Sequence, residues 1–196
     1  MLIWIVARAA GFTAYALLTV SVLLGLALGL RWRSPRWPRF ATTELHRFVT
    51  LLTLVFLGLH IVTIALDGYM HFRLVELLVP LASHYRPLWM GLGVVAAWLA
   101  AAVWVSTWLR RLVGYRTWRR LHYATFAVYA AATIHGFAAG SDSHAPWALP
   151  LYGASVLAVG GLTIARLLAS DRPAAGATSA ANRRELVTRP TPAGPP

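Results

Sequence analysis

Four histidines, His46, His60, His122 and His135, sit in stretches of sequence that are otherwise almost wholly apolar. An ionisable side chain inside a hydrocarbon layer is costly, so each is a candidate for chemistry. One alone would be accounted for by a hydrogen bond between helices. Four together need a joint explanation, and their spacing offers one. His60 follows His46 by 14 residues, and His135 follows His122 by 13. At 1.5 Å rise per residue these intervals climb about 21 and about 20 Å along a helix. On parallel helices His46 is then level with His122, and His60 with His135. Two level pairs of imidazoles suit two stacked bis-histidine haems, each iron taking one axial ligand from each helix. Zinc fits worse, because it wants about four ligands at about 2.0–2.3 Å from one ion. A proton relay could use histidines but does not predict matched depths.

One angle opposes this arrangement. On a straight helix 14 residues bring His60 back to within about 40° of His46, whereas 13 residues leave His135 about 140° from His122. A bend, a π-bulge or a different ring approach is therefore expected between His122 and His135. Gly58 and Gly136 are candidates for letting a flat macrocycle approach the backbone, or for ordinary close helix packing. Arg47, Arg119 and Arg120 lie where haem propionates would emerge at one end, and guanidinium groups suit carboxylates. Arg86, with Tyr85, and Arg8 stand at the other end as candidates for propionates, an anionic acceptor or simple snorkelling. His71, His84 and His144 fall between the apolar stretches.

The elements that must position these residues are membrane spans. Of the 196 residues 58% are hydrophobic, above the usual share of a soluble domain. Five stretches, residues 2–30, 46–66, 88–109, 121–139 and 147–168, each approach the length that crosses about 30 Å of hydrocarbon. The first is too long for a signal-peptide core and lacks a small-residue cleavage site. With no cysteine, disulfides, thiolate-ligated clusters and covalently attached c-type haem are excluded, and the redox compartment is left open. The net charge of +12 comes from arginine alone. Because the arginines sit between apolar spans, they point to membrane topology and not to nucleic acid. Residues 31–45 carry Arg31, Arg33, Arg36 and Arg39, and residues 110–120 carry Arg110, Arg111, Arg116, Arg119 and Arg120. Arg172, Arg183, Arg184 and Arg189 lie in the tail, whereas residues 67–87 and 140–146 carry little net charge. The positive-inside rule then places the C-terminus in the cytoplasm and the N-terminus outside. Residues 72–79 read as a short interfacial helix. Residues 171–196, rich in Pro, Ala, Gly and Thr, read as a disordered cytoplasmic tail to a single domain over 1–170.

Two segments carry a family likeness. LHRFVTLLTLVFLGLH, ending at His60, and LHYATFAVYAAATIHG, containing His122 and His135, resemble the ferric reductase-like transmembrane domain family. That family includes ferric-chelate reductases, NADPH oxidases and the haem-binding membrane subunit of a bacterial periplasmic methionine sulfoxide reductase. Its pattern is His-x13-His on one helix and His-x12-His on the next but one, and both spacings stand here. LVPLASHYRPLWMGLGVVAAW and LRRLVGYRTWRRLH are similar to its bacterial members, and the likeness spans roughly residues 10–170. The resemblance implies that His46 pairs with His122 and His60 with His135, and that electrons pass from a cytoplasmic donor to an outer acceptor. Family members commonly continue into flavin and nicotinamide domains, and their core is often drawn with six helices. Here no GxGxxG occurs, and only about 26 residues follow the fifth span.

The expectation is therefore an all-α integral membrane bundle of about five helices in the cell membrane, surrounded by lipid. It would be an oxidoreductase subunit carrying two haems b. A flavoprotein reductase or quinol would supply electrons; ferric iron, oxygen or a periplasmic or extracellular partner would take them. The alternative is a cofactor-free transporter or proton channel that uses the same histidines.

Overall fold

Long runs of Leu, Val, Ala and Ile with no proline beyond the first turn leave a backbone in lipid one way to satisfy its polar groups, the α-helix. The structure, a computed structural model, describes residues 2–30, 38–68 and 70–170. Those residues are all-α, with no strand among them. Four helices are long and apolar enough to cross a membrane: α1 (Leu2–Gly29), α2 (Arg39–Ala65), α4 (Pro87–Trp108) and α8 (Ala148–Ser170). Between α2 and α4 lies the short α3 (Leu74–Leu78), inside the segment expected to be helical. The tail expected over 171–196 lies outside the described residues, as do Arg31, Arg33, Arg36, Arg172, Arg183, Arg184 and Arg189.

The remaining expected span, residues 121–139, is divided. Four-residue α5 (Arg110–Val113) leads through Gly114 into α6 (Tyr115–His122), and α7 (Ala124–Ala139) follows. Gly114 has φ 78°, a value glycine adopts without a steric penalty. The break between α6 and α7 falls on Tyr123, whose backbone N–H approaches the carbonyls of both Arg119 and Arg120. That change of hydrogen-bond register lies between His122 and His135, where the sequence called for a bend. α7 alone, at 16 residues, rises only about 24 Å, short of the length of the four long apolar helices.

The packing leaves a gap in the middle. α1 lies along α2, α4 lies along α7, and α7 and α8 both contact α1, but no extensive packing joins α2 to α7. Tyr15, Val22, Leu26, Tyr129, Tyr152 and Val159 form the dry core where α1, α7 and α8 meet. Hydroxyls tie it together: Tyr15 donates to Ser155 Oγ at 2.9 Å, and Tyr129 Oη lies 2.5 Å from the same oxygen. Such bonds are worth about 0.6 kcal/mol each in a membrane and chiefly fix register. On the outside of α2, Phe48, Leu51, Val55, Leu59 and Val62 form an exposed stripe at helical spacing. Water would not tolerate that stripe; lipid does.

Candidate functional site

The gap between α2 and α7 is where the four histidines gather. At one end the rings of His46 and His122 face each other with centres 6.3 Å apart and planes inclined at 75°. At the other end His60 and His135 line one cavity of about 230 Å³, together with residues of α1 and α4. The structure thus brings together both pairs expected from the sequence. Among the described residues there is no group of three or more His, Asp or Glu side chains suited to one metal ion.

Three of the imidazoles are held the same way. His60 Nδ1 lies 2.7 Å from the Ala7 carbonyl, His46 Nδ1 3.0 Å from the Ser21 carbonyl, and His135 Nδ1 2.9 Å from the Trp89 carbonyl. A carbonyl can only accept, so each Nδ1 carries the proton, and the neutral ring keeps its Nε2 lone pair for a metal. Such a bond fixes ring orientation and makes the imidazole a stronger donor.

A glycine stands four residues after each of these carbonyls: Gly11 after Ala7, Gly25 after Ser21, Gly93 after Trp89. A helical side chain covers the turn N-terminal to its own Cα, so a Cβ at that position would shield the carbonyl one turn back. At Gly93 a Cβ would come within 2.6 Å of His135 Nδ1, and at Gly11 within 2.9 Å of His60 Nδ1. At Gly25 it would stand 3.6 Å from His46 Cε1, an ordinary contact. Neither the carbonyls nor these glycines entered the reading of the sequence, which looked to Gly58 and Gly136. Gly58 faces open space, and Gly136 makes room for the Tyr152 hydroxyl. A signal was present: Gly11 and Gly25 on α1 repeat the 14-residue interval of His46 and His60 on α2.

His122 is the exception. Its Nδ1 is buried and has no hydrogen-bond partner among the described residues. The Trp118 ring lies beside it instead, centres 5.1 Å apart and planes 31° apart, one helical turn back on α6.

Two imidazoles that share one metal ion stand with their ring centres about 6 Å apart, and the His46–His122 separation of 6.3 Å is compatible with that use. The glycine cradles and the Nδ1–carbonyl bonds suit the same use.

The arginines divide by end. Arg47 pairs with Glu44 at 2.8 Å on the exposed surface, Arg119 Nε donates to the Tyr123 hydroxyl at 3.3 Å, and Arg120 is exposed. Arg86 donates to the Ala138 carbonyl at 2.5 Å, closing the last turn of α7, and its guanidinium lies 5.4 Å from the Tyr85 ring centre. Arg8 forms an ion pair with Asp142, and both line the cavity.

The connector before α4 covers the cavity with Met70, Phe72, Leu77 and Tyr85. Its centre is the buried Glu76, which accepts from Arg73 Nε at 3.0 Å, the His84 backbone N–H at 3.1 Å and His84 Nδ1 at 2.6 Å. Burial alone would raise the Glu76 pKa, but these donors hold it down to about 2. His84 therefore serves the cover, and His144 Nδ1 lies 3.2 Å from Ser143 Oγ in the last connector. Comparison with protein-family models, with curated proteins and with solved structures finds no match for this chain.

Proposed function

We propose that this chain is the membrane subunit of an oxidoreductase and moves electrons across the bilayer through two b-type haems. The observation that carries the reading is the set of two membrane-embedded histidine pairs. In three of the four residues a backbone carbonyl fixes Nδ1–H and leaves Nε2 for iron. His46 and His122 would hold one haem, His60 and His135 the other. Bound there, haem supplies an iron that takes up and releases one electron at a time.

The chain's own residues do the rest. Gly11, Gly25 and Gly93 admit the imidazoles to their carbonyls. Phe72, Leu77 and Tyr85 keep water from the His60–His135 cavity. Arg8 and Arg86 at that end, and Arg47, Arg119 and Arg120 at the other, are the candidates to meet propionates. This assignment agrees with the resemblance to the ferric reductase-like transmembrane family.

Orientation follows from charge. Arg39, Arg47, Arg110, Arg111, Arg116, Arg119 and Arg120 belong to the end that carries His46 and His122, which we place in the cytoplasm. That basic face suits an acidic flavoprotein donor, with docking that weakens as salt rises; a quinol could deliver electrons from the lipid. The outer acceptor would be ferric iron, oxygen or a periplasmic or extracellular protein. A nicotinamide cofactor alone should not reduce the chain, because a hydride carries two electrons and a flavin site is needed to divide them.

The test is an absorption spectrum of the purified protein with a pyridine haemochrome assay. Two acid-acetone-extractable haems b per chain are expected. One haem or none would overturn the two-haem reading, and no Soret band at all would favour the cofactor-free transporter or channel.

A further inference from the structure

On α4 the carbonyl–glycine pair that serves His135 is Trp89 and Gly93. Fourteen residues farther along, the interval that relates the two pairs on α1, stand Val103 and Thr107. Here glycine is replaced by threonine. The Val103 carbonyl is taken by hydroxyls of its own helix, Ser106 Oγ at 2.7 Å and Thr107 Oγ1 at 3.0 Å. Thr107 Oγ1 in turn accepts the Trp118 indole N–H at 3.2 Å, and the Arg110 guanidinium lies 5.5 Å from the Trp118 ring centre. Trp118 is thus fixed from α4 and α5, and its ring lies against His122, whose Nδ1 has no partner among the described residues.

We propose that Trp118 is the positioning residue for His122, replacing by ring stacking the carbonyl that orients the other three histidines. In consequence the His46–His122 site has the more positive reduction potential of the two. This rests on the two-haem reading above. An imidazole that donates Nδ1–H to a carbonyl gives more electron density to iron and favours the ferric state. Both ligands of the His60–His135 site do so, but only His46 does in the other. The arginines at the His46–His122 end act in the same direction, because positive charge favours the reduced centre.

The test is a potentiometric titration of the haem-loaded full chain with electron paramagnetic resonance of the oxidised form. The wild type should give two waves. The 75° inclination of His46 and His122 predicts a strongly anisotropic low-spin ferric signal for that centre. Trp118→Phe, which keeps a ring against His122 but loses the bond to Thr107 Oγ1, should move the more positive wave no further than Thr107→Val does. Trp118→Leu should move only the more positive wave, to lower potential as the ring opens to water, and should broaden only the anisotropic signal. Thr107→Val, which removes the indole's acceptor at nearly constant volume, should move the same wave in the same direction by less. It decides the matter should Trp118→Leu not accumulate. Coincident waves in the wild type, a shift confined to the more negative wave, equal shifts in both, or no shift in Trp118→Leu or Thr107→Val would each overturn the proposal. Absence of any b-type absorbance in the wild type would instead overturn the reading beneath it.

Discussion

The two ends of the bundle hold the same ligand type by different means. At the His60–His135 end both rings are locked to carbonyls of a neighbouring helix, a cavity lies between them, and a connector covers it. Charge there is balanced: Arg8, Arg73 and Arg86 stand with Asp67, Glu76 and Asp142, and two ion pairs, Arg8–Asp142 and Arg73–Glu76, are formed. At the His46–His122 end one ring is locked and the other lies tilted against Trp118, the glycine contact is loose, and among the described residues arginines far outnumber Glu44. The first end is a covered, charge-balanced compartment and the second a basic face. Close packing makes the first intolerant of added atoms; the second should bend to them.

One substitution made at three glycines exposes this difference. Gly93→Ala should have the largest effect, because its methyl group would meet the same His135 Nδ1 that bonds the Trp89 carbonyl. Haem content should fall from two toward one per chain in the haemochrome assay, with the His46–His122 centre retained. Gly11→Ala, with the corresponding contact at 2.9 Å, should lower occupancy of the same site only in part.

The cover comes next. The Glu76 pKa of about 2 lies below the 4.5 of a free glutamate, so its contribution to stability is present above pH 4.5 and is lost as pH falls toward 2. Glu76→Gln should lower the thermal midpoint at pH 7 by a few degrees and flatten its dependence on pH across that acid window. An unchanged acid profile would mean that the cover does not depend on this carboxylate. Gly25→Ala should have the smallest effect. Its methyl group stands at an ordinary 3.6 Å from His46, and alanine is favoured over glycine within a helix by about 1 kcal/mol. Haem content should stay at two and the thermal midpoint should hold or rise slightly. A large loss of haem from Gly25→Ala would erase the contrast between the ends.

Much of this architecture was legible in the sequence, because a bilayer restricts the chain to few solutions. Apolar runs of span length become helices since no other unbroken backbone satisfies itself in lipid; α1, α4 and α8 follow the expected boundaries closely, while α2 begins at Arg39, ahead of the expected residue 46. The matched depths of His46 with His122 and of His60 with His135 were legible from rise per residue on parallel spans, and the family resemblance implied their pairing. The angular mismatch between His122 and His135 was legible too, though not the break at Tyr123. Which atoms hold the rings was decided only by tertiary structure. Every residue has a carbonyl, so the choice of Ala7, Ser21 and Trp89 leaves no trace in residue type; only the glycine one turn later marks it. That mark gains meaning once α1 is known to lie along α2, and α4 along α7. The exception at His122 was hidden for the same reason: Thr107 and Trp118 are unremarkable in a membrane sequence until a helix crossing sets one against the other.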